Sequence, residues 1–206
     1  MVVVQASPEA RLRQLTFELD RREVIPRIVG DHRDFLIVSG LAGSSKDVAS
    51  LTDDGTNAFT MAGAMGAAVS MGLGLALAQP DRRILVVTGE GELLMNLGAL
   101  ATVAVMSPNN LAILCVDNGH YGETGYQRTP TSFCTDLEAV AAGSGIRRTV
   151  LVEDEDGVPL GASAIRGDDG PSFVLLRVKP TEPPAFSRNL HGHECRARFR
   201  NALLSS

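Results

Sequence analysis

The chain has 206 residues, of which 44% are apolar and 21% charged, a balance that predicts a soluble globular protein with a full hydrophobic core. Its net charge of −5 argues against a surface that binds nucleic acid or an anionic membrane. Three cysteines, Cys115, Cys134 and Cys195, are odd in number and lack metal-ligand spacing, so we expect reduced thiols in a cytoplasmic protein. The longest apolar stretch, residues 61–78, is interrupted by glycines and predicts a packed small-residue helix instead of a membrane span.

Strands alternate with helices along the predicted order of elements. In chain order the sequence predicts an amphipathic helix over 8–24, a strand over 35–38, a loop and short helix over 41–50, a helix over 62–79, a strand over 83–88, a helix over 92–106, a strand over 111–116, a helix over 136–142, strands over 149–152 and 172–178, and a helix over 194–204. This alternation predicts an α/β fold, with a parallel sheet flanked by helices on both faces. We expect a single domain over 1–206, with 1–7 a flexible N-terminal tail and 180–206 a C-terminal extension and helix.

Polar, glycine-rich loops follow two of the predicted strands, over residues 88–92 and 117–125. In parallel sheets, ligands bind beyond the carboxyl ends of the strands. The Gly89-Glu90-Gly91 turn lets the backbone approach a ligand, and the helix amides that follow favour phosphate oxygens. A carboxylate within such a turn would repel phosphate unless a cation lay between them, so Glu90 favours a magnesium ion, for which Asn118 offers a second oxygen. Many α/β proteins carry acidic strand ends or such turns without a ligand, and on these residues alone that alternative stays open.

A helix, a turn and a strand separate Glu90 from Asn118, and this arrangement resembles the thiamine-diphosphate enzymes, whose signature is Gly-Asp-Gly followed later by Asn-Asn. Segment 61–67 is similar to the Gly-Ser-Met-Gly segment that precedes the metal motif in that family. Segment 121–129 is similar to the loop after Asn-Asn in the sulfopyruvate and phosphonopyruvate decarboxylases. The resemblance covers roughly residues 20–180 and implies the diphosphate-binding type of domain.

The resemblance implies thiamine diphosphate and Mg²⁺ as cofactors. The implied metal ligands are the Glu90 carboxylate, the side-chain oxygen of Asn118 and the carbonyl of His120. The implied cofactor-binding residues are Ser44, Ser45, Gly63, Met65, Gly89, Gly91, Glu92, Tyr121 and Gly122. Among them, the amides of Gly91 and Glu92 would hold diphosphate oxygens with help from Ser44 or Ser45, the Gly63 carbonyl would meet the aminopyrimidine, and Met65 would separate the two rings. Without the resemblance, ordinary core packing is the favoured interpretation of Met65.

Two positions depart from the family pattern. Glu90 stands where the family has Asp, one methylene shorter, and Asp117 stands where it has the first Asn, which adds a negative charge. These departures keep open a cofactor-free regulatory homologue.

The family also implies a missing half of the site. Its thiamine-activating glutamate, which contacts N1′ of the pyrimidine, comes from a separate pyrimidine-binding domain, whereas this chain has one diphosphate-type domain. We therefore expect that glutamate from a partner, the alpha subunit of a two-subunit enzyme, across a large apolar interface near segment 61–75.

The activity implied is decarboxylation of a small anionic 2-oxoacid, in which His120 and Glu123 are the candidate catalytic residues. As a histidine, His120 is suited to proton relay, although only its carbonyl is needed at the metal. Glu123 is alternatively a helix-start residue, and Arg128 binds either an anionic substrate group or a surface carboxylate.

Other functions stay open at this point. Carboligation and a 2-oxoacid oxidoreductase half-reaction use the same cofactor geometry, although the cysteines do not form an iron–sulfur run. A non-catalytic regulatory subunit is a third alternative. A nicotinamide-binding fold is disfavoured because Leu94 stands where a glycine or alanine is required. His191 and His193 are interpreted as solvated residues at the start of the last helix.

Overall fold

A six-stranded parallel sheet forms the centre of the fold. A computed structural model describes residues 17–61 and 63–205. The strands of this sheet are β1 (Phe35–Ser39), β2 (Ala58–Thr60), β3 (Arg83–Gly89), β4 (Leu111–Asp117), β7 (Arg148–Val152) and β8 (Ser172–Arg177). They lie in the order β2-β1-β3-β4-β8-β7, and every neighbouring pair is parallel. A separate antiparallel pair, β5 (His120–Tyr121) and β6 (Gln127–Arg128), follows β4.

Helices cover both faces of the sheet, which confirms the predicted fold class. The helices are α1 (Arg21–Val29), α2 (Gly43–Thr52), α3 (Ala68–Ala78), α4 (Glu90–Leu93), α5 (Gly98–Met106), α6 (Leu137–Gly143), α7 (Val158–Arg166) and α8 (Gly192–Leu204). One core lies between the sheet and helices α1, α2 and α7, and the other lies between the sheet and helices α3, α5 and α6. Because strands β1, β4 and β8 are buried on both faces, their sequences are continuous apolar runs without alternation.

Two predicted helices have bounds in the described residues that differ from those that their hydrophobic patterns suggested. Helix α1 begins at Arg21, where the Asp20 side chain caps it by accepting a hydrogen bond from the Arg22 amide. The predicted start at residue 8 lies outside the described residues. Helix α3 begins at Ala68 because Gly63 and Gly66 have φ angles of 137° and 77°, which a right-handed helix does not allow.

Other elements were divided or missed. The helix predicted over 92–106 is two helices, α4 and α5, joined by a 3₁₀ turn at Leu94–Asn96. Strand β2 has only three residues, too few for a period to appear. Helix α7 was missed because Gly161 lowers its helical propensity, although Pro159 lies in the first turn, where proline is tolerated, and Gly161 is required by packing. A Cβ atom on Gly161 would lie 2.8 Å from Cγ2 of Val152.

The C-terminal segment follows the predicted plan of an extended stretch and a helix. Helix α8 packs on the edge strand β2, where the rings of Phe199 and Phe59 lie 6.0 Å apart. Its Arg198 guanidinium binds both carboxylate oxygens of Asp54 at 3.0 and 2.9 Å. The predictions of one domain over 1–206 and of a flexible 1–7 stay predictions, and residues 1–7 lie outside the described part. Among the described residues, no helix combines the length and apolar character needed to cross a bilayer.

Two glycines of α3, Gly72 and Gly74, should respond in opposite directions when each is replaced by alanine. A Cβ atom on Gly72 would lie 2.1 Å from Cγ2 of Val86 in β3, whereas one on Gly74 would meet nothing within 4 Å. Gly72→Ala should lower the free energy of unfolding by about 1–3 kcal/mol through overpacking. Gly74→Ala should raise it by about 0.5–1 kcal/mol, since alanine is the better helix former. Urea unfolding of both variants measures this difference, and equal effects at the two positions would contradict the packing of α3 on β3.

Candidate active site

A cleft of about 170 Å³ opens at the carboxyl edge of the sheet, between the ends of β1 and β3. The chain leaves β1 toward β2 on one side and leaves β3 toward β4 on the other, so the two connections diverge. Such a point of divergence is where open parallel sheets bind ligands. The cleft is lined by residues from six parts of the chain: Arg21; Leu41, Ala42, Gly43, Ser44 and Lys46; Met65; Gly89, Glu90, Gly91 and Glu92; Val116, Asn118, His120, Tyr121, Gly122, Glu123, Thr124 and Tyr126; and Thr181, Glu182 and Pro183.

The buried side chain of Glu92 holds the walls of this cleft together. Its Oε2 accepts hydrogen bonds from the Thr88 hydroxyl at 2.9 Å and the Leu41 amide at 3.1 Å, and its Oε1 accepts one from the Ala68 amide at 3.4 Å. A Cβ atom on Gly40 would lie 1.5 Å from Oε2, so this position must be glycine for the carboxyl group to enter. Burial raises the pKa of Glu92. The sequence pointed only to the backbone amide of Glu92, and no pattern signalled its side-chain role.

Glu90 and Asp117 form a buried carboxyl pair bridged by two threonines. Glu90 is 3% exposed and Asp117 is 1% exposed. The Thr129 hydroxyl lies 3.2 Å from Oε1 of Glu90 and 2.9 Å from the Thr131 hydroxyl, which lies 2.8 Å from Oδ1 of Asp117. We call Thr129 and Thr131 the threonine bridge. Neither residue was singled out from the sequence, because nothing in local spacing signals that the segment after β6 returns to the end of β4.

The threonine bridge has too few protons for all three contacts to be hydrogen bonds when both carboxyl groups are ionised. Three contacts join the two carboxyl groups, whereas the threonine bridge supplies two hydroxyl protons and a carboxylate supplies none. All three contacts are hydrogen bonds only if Glu90 or Asp117 carries a proton. The electrostatics agree, since burial and the charge of Asp117 raise the pKa of Glu90 to about 8, and burial also raises the pKa of Asp117.

One oxygen of the pair has no partner among the described residues. Oδ2 of Asp117 is buried without a hydrogen bond, as is Nε of Arg177. Arg177 is the register neighbour of Asp117 on strand β8 and is itself buried. Its charge acts to lower the pKa of Asp117 against the larger effect of burial. A cationic neighbour therefore offsets part of the charge that Asp117 introduces.

Asn118 and His120 form a tight turn at the end of β4. The Asn118 Oδ1 accepts a hydrogen bond from the His120 amide at 3.0 Å, and the His120 Nδ1 lies 2.9 Å from the Asn118 carbonyl. Because a carbonyl only accepts, this contact assigns the proton of the neutral ring to Nδ1 and leaves Nε2 as the basic nitrogen. The ring also stacks on Tyr126 with centroids 5.0 Å apart. His120 lines the cleft, and its ring is held by the Asn118 carbonyl and by Tyr126.

Gly89 and Gly91 shape the turn that follows β3. Gly89 is extended, with φ −88° and ψ 158°, and caps α4 without a side chain, so the first amides of this helix have no side-chain partner at that end. A Cβ atom on Gly91 would lie 2.6 Å from Cε1 of Tyr121, which packs directly over the turn. Ser44 lines the cleft, is 2% exposed, and has a hydroxyl without a hydrogen-bond partner among the described residues. The hydroxyl of Ser45 instead donates to the Ala42 carbonyl at 2.8 Å, so the structure favours Ser44 at the cleft.

The remaining predicted residues fall partly outside the cleft. Met65 lines it and is 39% exposed, whereas Gly63 lies in the exposed loop before α3 and does not line it. Glu123 lies in the turn between β5 and β6, so the helix-start interpretation of this residue was wrong. Arg128 is exposed and stacks over the Phe133 ring at 5.5 Å, away from the cleft. The cations that do line the cleft are Arg21 and Lys46, which the sequence analysis missed.

The raised pKa of Glu90 predicts a pH-dependent stability. In the unfolded chain Glu90 loses its proton near its ordinary pKa of 4.5, whereas the folded, metal-free chain holds that proton to about pH 8. The folded state binds more protons in this window, so the free energy of unfolding should fall as pH rises from about 4.5 to about 8. The slope should reach up to ~1.4 kcal/mol per pH unit. Glu90→Gln should flatten it, as measured by urea unfolding in EDTA, and identical slopes would contradict the raised pKa.

Comparison with known proteins agrees with this geometry. Residues 43–175 match the family described as the C-terminal TPP-binding domain of thiamine pyrophosphate enzymes. The sulfopyruvate decarboxylase subunit beta of Methanothermobacter thermautotrophicus is 39% identical over 181 residues, which cover 88% of this chain and 94% of that protein. A phosphonopyruvate decarboxylase of Streptomyces hygroscopicus is 41% identical over 165 residues, which cover 80% of this chain but only 40% of that protein.

A solved structure shares the fold. The 2-oxoglutarate:ferredoxin oxidoreductase from Magnetococcus marinus, with 2-oxoglutarate, coenzyme A and succinyl-CoA bound, matches with a TM-score of 0.59 at 18% identity. The match covers 89% of this chain and 71% of that chain, and at this identity it shows the fold alone. The family match and the relatives covered over nearly their whole length go further and confirm the resemblance to the thiamine-diphosphate enzymes. The chain belongs to the thiamine pyrophosphate enzymes, as a C-terminal-type TPP-binding domain similar to those of the sulfopyruvate and phosphonopyruvate decarboxylases.

Proposed function

We propose that this chain is the thiamine-diphosphate-binding subunit of a two-subunit, cytoplasmic decarboxylase that acts on a small anionic 2-oxoacid. The observation that carries the proposal is the buried Glu90 carboxyl group, which lines one cleft with Asn118, His120 and the uncapped start of α4. The beta subunits named as sulfopyruvate decarboxylase support it, since they match this chain over nearly their whole length.

Magnesium fits the donor set of this cleft. Glu90 offers a carboxylate, Asn118 an amide oxygen and His120 a backbone carbonyl, which are the oxygen ligands that Mg²⁺ prefers. A divalent cation would also displace the proton that the bridged carboxyl pair otherwise requires. The extra methylene of Glu90 relative to the family Asp is accommodated by the contact of its Oε1 with Thr129. We propose that Glu90, Asn118 and the His120 carbonyl hold the metal.

Thiamine diphosphate fits the space between the ends of β1 and β3. The amides of Gly91 and Glu92 in the first turn of α4 and the unpartnered hydroxyl of Ser44 would hold its diphosphate. Met65 would lie against its rings, and the aminopyrimidine would have to extend beyond the cleft to reach the Gly63 carbonyl in the exposed loop before α3. When bound, the cofactor supplies the electron sink for the loss of carbon dioxide from a 2-oxoacid.

The loop after β4 provides the groups of this chain that could move protons. Nε2 of His120 is the free basic nitrogen of a ring oriented by Asn118 and Tyr126. We infer that it exchanges a proton with the substrate carbon, and that Glu123 at the exposed turn assists from the cleft mouth. Tyr121 and Gly122 close that side of the cofactor site.

The partner subunit has a candidate surface beside the cleft. Helices α3 and α5 contain no charged residue, and large apolar side chains are exposed on them and on the turn before α5. We call this set the apolar face: Met71, Leu77, Met95, Val105 and Met106. It continues to the cleft, because a Cβ atom on Gly66 would lie 3.2 Å from Cβ of Met95 and the adjacent Met65 lines the cleft.

We infer that the apolar face and loop 63–67 receive the pyrimidine-binding alpha subunit, which supplies the glutamate for N1′. The phosphonopyruvate decarboxylase relative supports two halves, since this chain corresponds to only 40% of it. Burial of exposed methionine and valine side chains would stabilise such an interface.

The metal role of Glu90 can be tested by titration. In the pair formed with the alpha subunit, thiamine diphosphate should bind only with Mg²⁺, and Glu90→Gln should weaken that binding at least about 100-fold because a buried charged ligand is lost. Carbon dioxide release from small anionic 2-oxoacids should fall in parallel. Glu155→Gln, a surface change that removes one exposed carboxylate outside the cleft, is the control. Unaltered binding in Glu90→Gln would overturn the metal assignment, and a wild-type pair that binds no cofactor would leave a regulatory subunit.

The apolar face can be tested by a matched pair of substitutions. Val105 on α5 is 82% exposed, and Leu160 on α7, across the sheet, is 62% exposed. Val105→Arg should weaken assembly with the alpha subunit at least about tenfold without lowering the unfolding temperature, because a charge would be buried in an apolar interface. Leu160→Arg should assemble like the wild type. Sedimentation velocity measures both, and self-association of this chain alone through Val105 would identify a second copy as the occupant instead.

A further inference from the structure

Lys46 is a half-buried cation that lines the cleft without a partner among the described residues. The chain contains only two lysines, Lys46 and Lys179. Lys46 lies in the first turn of α2, and its side chain forms no hydrogen bond or ion pair among the described residues. A half-buried lysine side chain that lines a cleft without an ion-pair partner is available to an anionic ligand.

The other cation of the cleft wall is already occupied. Arg21 is 5% exposed, and its guanidinium binds the carboxylate of Asp47, which is 3% exposed. It packs against Gly43, where a Cβ atom would lie 2.7 Å from its Nη2. This pair fixes the start of α2 on α1. Of the two cations in the cleft wall, Lys46 is therefore the one that forms no ion pair with a described carboxylate.

The position of Lys46 on α2 separates it from the diphosphate turn. The Ser44 hydroxyl faces that turn, since it would lie 3.5 Å from a Cβ atom on Gly89. Successive helical residues are about 100° apart, so Lys46, two residues further, projects about 200° around the axis from Ser44. Both residues line the cleft, and they therefore line different parts of it.

The charges around the cleft indicate what such a cation could bind. The other ionisable side chains that line its outer part, Glu123 and Glu182, are exposed acids that disfavour an anion. An anionic substrate therefore needs a local positive group to enter. Arg128, the candidate from the sequence, lies outside the cleft over Phe133 and cannot provide one there.

We propose that the Lys46 ammonium group binds the second acidic group of the substrate, a tetrahedral oxyanion of the sulfonate or phosphonate class carried in addition to the 2-oxo-carboxylate. This inference rests on the proposed function and adds a specificity residue to it. Lys46 then distinguishes doubly anionic 2-oxoacids from those with uncharged side chains, while Ser44 and the α4 amides serve the diphosphate.

The experiment compares two substrates in the cofactor-loaded pair of subunits. The ratio of kcat/KM for sulfopyruvate to that for pyruvate should fall about 100-fold in Lys46→Gln, mainly through KM for sulfopyruvate, and Lys46→Arg should restore at least a tenth of it. Lys179→Gln removes an exposed positive charge that does not line the cleft, and it should leave the ratio within about twofold. The affinity for thiamine diphosphate with Mg²⁺ should stay within about threefold in Lys46→Gln.

Each contrary outcome is informative. An unchanged ratio in Lys46→Gln overturns the proposal, and an unchanged ratio with a loss of cofactor affinity assigns Lys46 to the diphosphate instead. A pair that decarboxylates no 2-oxoacid defeats the proposed function, and Lys46 is then tested by calorimetric binding of sulfoacetate, an inert dianion. Loss of that binding in Lys46→Gln but not in Lys179→Gln would support an anion site at Lys46, and equal binding in both would overturn it.

Discussion

The hydrogen bonds of the buried Glu92 side chain are the constraint on which the cleft depends. This carboxyl group joins the end of β1 through Leu41, the end of β3 through Thr88, and the start of α3 through Ala68. A buried carboxyl group is costly unless donors satisfy it, so the three segments must stay where their donors reach it. These hydrogen bonds hold together the segments that line the crevice between the two diverging connections. The turn that carries Glu90 therefore begins from a fixed position.

The two departures from the family pattern are explained together by the threonine bridge. Glu90 is one methylene longer than the family residue, and that length lets its Oε1 contact Thr129. Asp117 adds a charge, but Thr131 donates to its Oδ1 and Arg177 lies beside it on the neighbouring strand. Together they form a buried carboxyl pair that shares a proton in the metal-free chain.

In our proposal, the cleft is open in this chain alone because the partner subunit forms one of its walls. The uncharged surface of α3 and α5 begins at the cleft and carries exposed methionine and valine side chains, which water does not favour. In that proposal assembly and catalysis are coupled, because the partner subunit would bring the N1′ glutamate and the missing wall together. Lys46 lies on the wall that this chain itself provides, which is why substrate charge can be recognised by this subunit.

The sequence alone determined the layered α/β fold, the central strands and the placement of Glu90 and Asn118 after two of those strands, because these depend on local runs: continuous apolar strands and the glycine turns that follow them. The sequence misplaced the start of α3 because the apolar pattern continued through Gly63 and Gly66. Their positive φ angles exclude both glycines from the helix, which therefore starts after them. Only the tertiary structure decided that Thr129 and Thr131 bridge Glu90 and Asp117, that Glu92 joins three segments, and that Lys46 rather than Arg128 lines the cleft. The residues in these contacts are distant in sequence, and the connecting loops bring them together. The paths of these loops depend on packing and hydrogen bonding across the whole fold, so no local sequence pattern predicts them.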